Sequence, residues 1–283
     1  MKRYEILRKS MLNETVSLME VYAPDIAKKA QAGQFIILRV DENGERIPLT
    51  IAGHNAQTGA ITVIFQIVGA TTMALAQLEQ GDALADFVGP LGRPTETEGI
   101  RKAAVIGGGV GCAIALPVVQ QLHESGAQVH SIIGFRSKEL VILEEEFERT
   151  SDKLVRMSDD GSWGTQGLVT DALKGLIESG ENYDVVFAIG PLIMMKFVSL
   201  LTKQYGVKTI VSMNPVMIDG TGMCGGCRVN VGGEMKFACV DGPDFDAHLI
   251  DFDEAMQRNA MYREFEAHAR DAACNLFQKA QEV

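Results

Sequence analysis

Lys102-Ala-Ala-Val-Ile-Gly107-Gly-Gly-Val-Gly111-Cys-Ala-Ile-Ala-Leu-Pro-Val-Val-Gln-Gln-Leu-His123-Glu-Ser-Gly126 decides the fold: a short apolar run ends in glycines and gives way to apolar residues at helical spacing. That is strand, tight turn, helix. The pattern then repeats as AQVHSIIGF (127–135) and KELVILEEEFER (138–149), KLVRMS (153–158) and GLVTDALKGLIESG (167–180), DVVFAIG (184–190) and PLIMMKFVSLLTKQYG (191–206), closing on VKTIVSM (207–213). Five apolar strands joined by four crossover helices predict a doubly wound parallel sheet, covered on both faces, over residues 99–213.

Upstream the texture differs. Residues 1–98 carry six short β-branched or alternating runs, YEILRKSML, ETVSLMEVYA, GQFIILRV, IPLTIAG, GAITVIFQIV and DALADFVG, parted by turn signals such as Asn43-Gly44 and Gly89-Pro90. Such spacing predicts an antiparallel β-barrel, interrupted by one helix-like insertion, TTMALAQLEQG (71–81). Residues 214–250 form a separate cysteine-bearing segment, and residues 251–283 a charged tail, helical from about 252 to 278. The expected class is therefore β plus α/β.

Composition sets limits on function. A chain of 283 residues has room for two ordinary domains and an appendage, and no apolar run reaches membrane-spanning length. The start MKRYEILRKS lacks the apolar core of a secretion signal, so the expected compartment is the cytoplasm, with no membrane association. A formal net charge of -11 argues against nucleic acid, whose phosphates need a basic footprint. The five histidines share no metal-ligand spacing.

The cysteines are more specific. Asp219-Gly-Thr-Gly-Met-Cys224-Gly-Gly-Cys227, with Cys239 beyond, follows the plant-type spacing for a 2Fe-2S cluster, except that Asp219 stands in the first ligand position. The metal-ligating set would be Asp219, Cys224, Cys227 and Cys239. A zinc site would favour a second Cys or His pair, and a redox dithiol would use Cys224 and Cys227 alone; neither uses Asp219 or Cys239. Gly220, Gly222, Gly225 and Gly226 let backbone amides approach cluster sulfurs. The two other cysteines, Cys112 and Cys274, read as structural.

Ligands of open parallel sheets sit beyond the carboxyl ends of the strands. There lie Gly107, Gly108, Gly109, Val110 and Gly111, where glycine and a helix start suit a pyrophosphate, although the run does not match Gly-x-Gly-x-x-Gly and a plain tight turn is the alternative. Arg136 and Lys138 fall where an adenosine ribose would lie, without deciding NAD against NADP. Asp159 and Asp160 are a solvated turn or a ligand contact, and Gly190 and Pro191 open a helix or line a nicotinamide pocket.

Together, the barrel with Pro48-Leu49-Thr50, the nucleotide domain with GGGVGCA and GPxxM, and the trailing cysteines resemble the ferredoxin-NADP reductase superfamily over nearly the whole chain. Within it the chain is similar to electron-transfer subunits of two kinds, those of dihydroorotate dehydrogenase B and those of electron-bifurcating NADH-dependent reduced ferredoxin:NADP oxidoreductase. Asp219 resembles the second, since the first have Cys there. The resemblance implies FAD, a 2Fe-2S cluster and NAD(H) as cofactors, no side chain that makes or breaks bonds, a larger flavin and iron-sulfur partner subunit, and ferredoxin met through that partner. It implies flavin contacts at Pro48, Leu49 and Thr50, with Arg46 one place before the motif arginine, whose position Ile47 occupies. It further implies contacts at Ile64, Phe65 and Gln66, and a pyrophosphate contact at Gly69, Thr71 and Thr72.

Overall fold

The computed structural model describes residues 2–281, with side chains for 2–273, so the structural role expected of Cys274 lies outside the residues whose side chains are described. The first sheet contains β1 (Ile6–Asn13), β2 (Val16–Tyr22), β3 (Phe35–Arg39), β4 (Arg46–Asn55), β5 (Ala60–Gln66) and β6 (Asp86–Leu91), in the order β1-β2-β5-β4-β3-β6. All its ladders are antiparallel, and a bridge between Glu5 and Ala83 brings the approach to β6 back to the start of β1, rolling the sheet into a barrel. Alternation explains the roll. Ile36, Leu38, Ile51, Ile61 and Phe65 point inward with Met19 and Phe87 and are fully or almost fully buried. Two helices interrupt it, a single turn α1 (Pro24–Ala27) and α2 (Ala70–Gln77).

One strand changes partners midway. Arg46–Thr50 of β4 pairs with Arg39–Phe35 of β3, whereas from Ile51 onward β4 pairs with β5, with a register shift between Ile51 and Gly53. On β5 the β4 ladder stops at Val63, and Ile64, Phe65 and Gln66 pair only with β2. The first half of β4 and the end of β5 therefore diverge, leaving facing backbone edges without a ladder between them.

The second sheet is larger than the alternation predicts. It contains β7 (Lys102–Gly108), β8 (Gln128–Phe135), β9 (Lys153–Ser158), β10 (Thr165–Gln166), β11 (Val185–Ile189) and β12 (Thr209–Ser212), in the order β10-β9-β8-β7-β11-β12. Helices α3 (Gly111–Glu124), α4 (Glu144–Thr150), α5 (Val169–Glu178) and α6 (Leu192–Tyr205) connect the strands. The helix expected over 138–149 is broken: Ile142 is buried, Leu143 adopts φ 60°, and α4 starts only at Glu144, where three glutamates occupy its first turn.

After β12 the chain forms a hairpin, β13 (Arg228–Val231) and β14 (Glu234–Phe237), turned by Gly232 and Gly233 at φ 62° and 85°. It then returns as β15 (Asp244–Asp246), antiparallel to β12, so the segment expected to trail the nucleotide sheet supplies its edge strand. The tail is two helices rather than one, α7 (Phe252–Ala260), capped by Asp251 accepting from the Glu254 amide at 2.9 Å, and α8 (Arg263–Gln281). Among the described residues no helix is long and apolar enough to cross a membrane.

A buried carboxyl joins these parts. Thr95, in the linker after β6, donates to Asp244 Oδ2 at 2.6 Å, and the Ser212 hydroxyl adds a second hydrogen bond. Burial dominates and pushes the Asp244 carboxyl up to about 6. The proton-bound form is favoured by folding, so this stabilisation is complete below about pH 4 and lost as pH rises through about 6. Asp244→Asn is expected to raise stability by about 3 kcal/mol at pH 8 and by almost nothing at pH 4, read from thermal melts at both values. An equal shift at the two pH values would contradict this.

Candidate functional site

The divergence of β4 and β5 gathers the barrel residues singled out from sequence. Pro48, Leu49 and Thr50 are half-buried along one edge, and Ile64, Phe65 and Gln66 form the other. Unpaired strand edges need partners, and a flat heterocycle with donors and acceptors on its rim would supply them. Gly69 precedes α2 with an extended backbone. Thr72 Oγ1 accepts from the Val68 and Gly69 amides, each at 3.0 Å, and donates to Gly69 O, which makes it a local cap. Thr71 Oγ1 donates to Glu45 at 2.9 Å. Arg46 does not turn toward α2: its Nε donates to Ile218 O at 2.8 Å, and its Nη1 lies 3.8 Å from Asp86.

In the nucleotide domain the glycines have two distinct jobs. A Cβ on Gly108 would lie 2.5 Å from Met194 Sδ, one on Gly111 would lie 2.5 Å from Ile189 O, and one on Gly190 would lie 2.9 Å from Met194 Cε. These glycines let the β7–α3 turn close on the β11–α6 turn, where Pro191 caps α6. Gly107 is similarly filled by Cys112, whose thiol burial pushes far above its ordinary range. Gly109 differs. It has φ 56° and open space around its Cα, and with Val110 at the N-cap of α3 it is the part of the run free to face a ligand.

The neighbouring loops converge on the same sheet edge. Arg136 is exposed after β8, and its carbonyl accepts from the Asp160 amide at 3.2 Å. Asp160 Oδ1 accepts from the Ser162 amide and hydroxyl at 2.9 and 2.7 Å, which holds its carboxyl below the usual range. Ser162 in turn accepts from the Lys138 amide at 2.8 Å. Asp160 is thus a loop organiser, while Asp159 remains exposed beside it. A groove of about 1050 Å³ lies elsewhere, between the far half of β4, residues 94–98 and the end of α3, lined by His54, Glu96, Glu98 and Glu124 among others. It contains none of the expected contacts.

The hairpin β13–β14 explains the cysteine spacing. Cys227 directly precedes β13 and Cys239 follows β14 by one residue, and the Ala238 amide donates to Cys227 O at 3.0 Å. Both thiols are buried and in contact, and burial followed by the Cys227 thiol pushes Cys239 up to about 12. Cys224 is exposed, and amides of Gly226, Asp219 and Ile218 pull its thiol below the usual value against the effect of burial. Asp219 Oδ2 accepts from the Thr221 amide at 3.0 Å and from the Thr221 hydroxyl, which, with Arg46 nearby, holds its carboxyl low.

Among the described residues no three His, Cys, Asp or Glu side chains are arranged around a single metal ion. The four donors form two adjoining pairs, Asp219 beside Cys224 and Cys227 against Cys239. A two-iron core takes two protein donors per iron, and a cationic core is what lets buried thiols shed their protons. Glycine keeps the space open. A Cβ on Gly220 would lie 2.7 Å from Leu91 and 2.9 Å from Ile37, and one on Gly226 would lie 3.7 Å from Cys224 Sγ. The loop therefore rests directly on β3 and β6. Sequence reasoning missed this joint, the hairpin and the reach of Arg46; only the hairpin had a local signal, Gly232-Gly233 between alternating strands.

The chain is similar to known proteins over most of its length. Residues 214–251 match the model of the iron-sulfur cluster binding domain of dihydroorotate dehydrogenase B. The chain is 50% identical over 275 residues to an uncharacterised protein of Clostridium beijerinckii, covering 94% of this chain and 93% of that one. It is 44% identical to a dihydroorotate dehydrogenase B (NAD(+)) electron transfer subunit homolog of Thermotoga maritima, covering 93% and 92%. A chain of the NADH-dependent reduced ferredoxin-NADP oxidoreductase, solved for insight into flavin-based electron bifurcation, superposes with a TM-score of 0.92 at 41% identity, covering 96% of this chain and 98% of that chain.

Proposed function

The chain belongs to the electron-transfer subunits of the dihydroorotate dehydrogenase B type, flavin and iron-sulfur proteins of the ferredoxin-NADP reductase superfamily, and we propose that it links NAD(H) to a larger partner subunit inside an electron-bifurcating NADH/NADPH/ferredoxin transhydrogenase. FAD in the β4–β5 gap would convert hydride exchange with NAD(H) into single electrons for a 2Fe-2S cluster. The residues supply placement. Thr50 and the edges of Ile64–Gln66 hold the ring, Gly109 and Val110 receive the pyrophosphate of NAD(H), and Asp219, Cys224, Cys227 and Cys239 hold the irons. The observation that supports this reading is the seating of Gly220 between Ile37 and Leu91, with the cysteine loop resting on β3 and β6 next to the β4 edge proposed for the flavin.

Asp219 and the likeness to the bifurcating oxidoreductase favour that complex over the dihydroorotate enzyme, while the names of other relatives favour the latter. Anaerobic purification from the source cell separates the two. The expected result is a chain carrying FAD, iron and sulfide together with a larger subunit, and NADPH oxidation coupled to reduction of NAD and ferredoxin. Dihydroorotate-dependent NAD reduction would favour the second reading, and a chain devoid of FAD and iron would reject both.

A further inference from the structure

Three arginines from three separate parts of the chain each bind a main-chain carbonyl next to a residue of the cluster site. Arg46, on β4, donates to Ile218 O at 2.8 Å; Arg258, on α7, donates to Gly226 O at 3.3 Å; and Arg93, in the linker after β6, donates to Val240 O at 3.1 Å. Ile218 precedes Asp219, Gly226 precedes Cys227, and Val240 follows Cys239. Moreover, the amides of Ile218 and Gly226 face the Cys224 sulfur. The Ile218 carbonyl that Arg46 holds shares its peptide with the Asp219 amide, which also faces that sulfur, so in this peptide the N–H points in and the C=O is taken from outside by a guanidinium.

We propose that Arg46, Arg258 and Arg93 form a collar that fixes the orientation of these peptides and raises the reduction potential of the cluster. The inference rests on the proposed cluster and concerns how the protein tunes it. An arginine keeps its charge at any working pH and presents several donors in a rigid fork. A carbonyl turned inward would put negative charge beside an anionic centre about to gain an electron. Holding it outward removes that charge, and the guanidinium adds a positive one, so both effects favour the reduced state. The three are unequal. Arg46 shares Asp86 with Arg39 and is one-third exposed, at 32%, whereas Arg93 is 70% exposed and lies 3.8 Å from Asp241, so solvent and Asp241 screen it more. Arg258 is half-buried.

The test is an EPR-monitored redox titration of the anaerobically purified chain, with iron and sulfide assayed in each preparation. Arg46→Gln and Arg258→Gln are expected to retain the cluster and move its midpoint potential to more negative values. Arg93→Gln should move it less, and Arg46→Lys should restore part of the shift. Arg101→Gln, at the far end of β7 where the guanidinium is 88% exposed, should leave it unmoved. Clusters of full iron content whose potentials are unchanged in both Arg46→Gln and Arg258→Gln would overturn the collar and leave the cluster assignment standing. So would an equal shift in Arg101→Gln. A wild-type chain without iron would overturn both.

Discussion

Cys239→Ala is expected to give a chain that folds and retains FAD but whose iron and acid-labile sulfide fall to background, with loss of the visible absorption and EPR signal of the cluster. The reason lies in the hairpin. β13 and β14 bring Cys227 and Cys239 into contact where burial opposes a free thiolate, so the pair is positioned for a metal core and neither thiol replaces the other. The Gly232-Gly233 turn and the strand register are set by backbone, and alanine preserves them. Cys112→Ala is the control: that thiol is fully buried against Gly107, and its removal should cost about 1 kcal/mol of stability while leaving iron content intact. Asp219→Cys should keep a cluster with an altered spectrum, because oxygen is a harder donor than sulfur. Undiminished iron in Cys239→Ala would refute its assignment as a ligand, and an unaltered spectrum in Asp219→Cys would refute that of Asp219.

The elements legible beforehand are those whose side chains follow a long enough period. The six barrel strands are β-branched or alternating runs, β7, β8 and β11 are apolar runs buried on both faces, β9 and β12 are shorter runs buried less completely beside them, and the connections carry helical spacing. β10 and β15 escape because two or three residues make no pattern, and Asp244-Phe-Asp246 is mostly polar; it becomes a strand only because β12 offers a free edge. The cluster spacing is local chemistry and was readable as such. Arg46 was not, since its partner Ile218 lies 172 residues away and nothing near Arg46 in sequence points to it. The glycine run shows a subtler limit. A glycine left open to its surroundings and one that admits a neighbouring loop look identical in sequence, and only packing separates Gly109 from Gly107, Gly108 and Gly111.

That separation predicts opposite outcomes for two substitutions in one turn. A side chain at Gly111 would begin 2.5 Å from Ile189 O and 2.7 Å from Gly190 Cα, atoms that belong to the backbone and cannot rotate away. Gly111→Val must therefore prise the β7–α3 turn from the β11–α6 turn, a cost of about 2–4 kcal/mol, typical of severe overpacking. Because Gly190 and Pro191 would be displaced with it, NADH binding should be lost, followed as the disappearance of NADH-dependent flavin bleaching, while iron and FAD content remain those of the barrel and hairpin. Gly109→Ala meets no atom within 4 Å, and its cost is confined to the left-handed backbone at φ 56°, about 1 kcal/mol. It should melt only slightly earlier, yet bind NADH more weakly if the turn lies against the pyrophosphate. A Gly111→Val chain that melts like wild type and is still bleached by NADH would show that the two turns do not need to touch. Gly109→Ala with unaltered NADH affinity would move the pyrophosphate away from this loop.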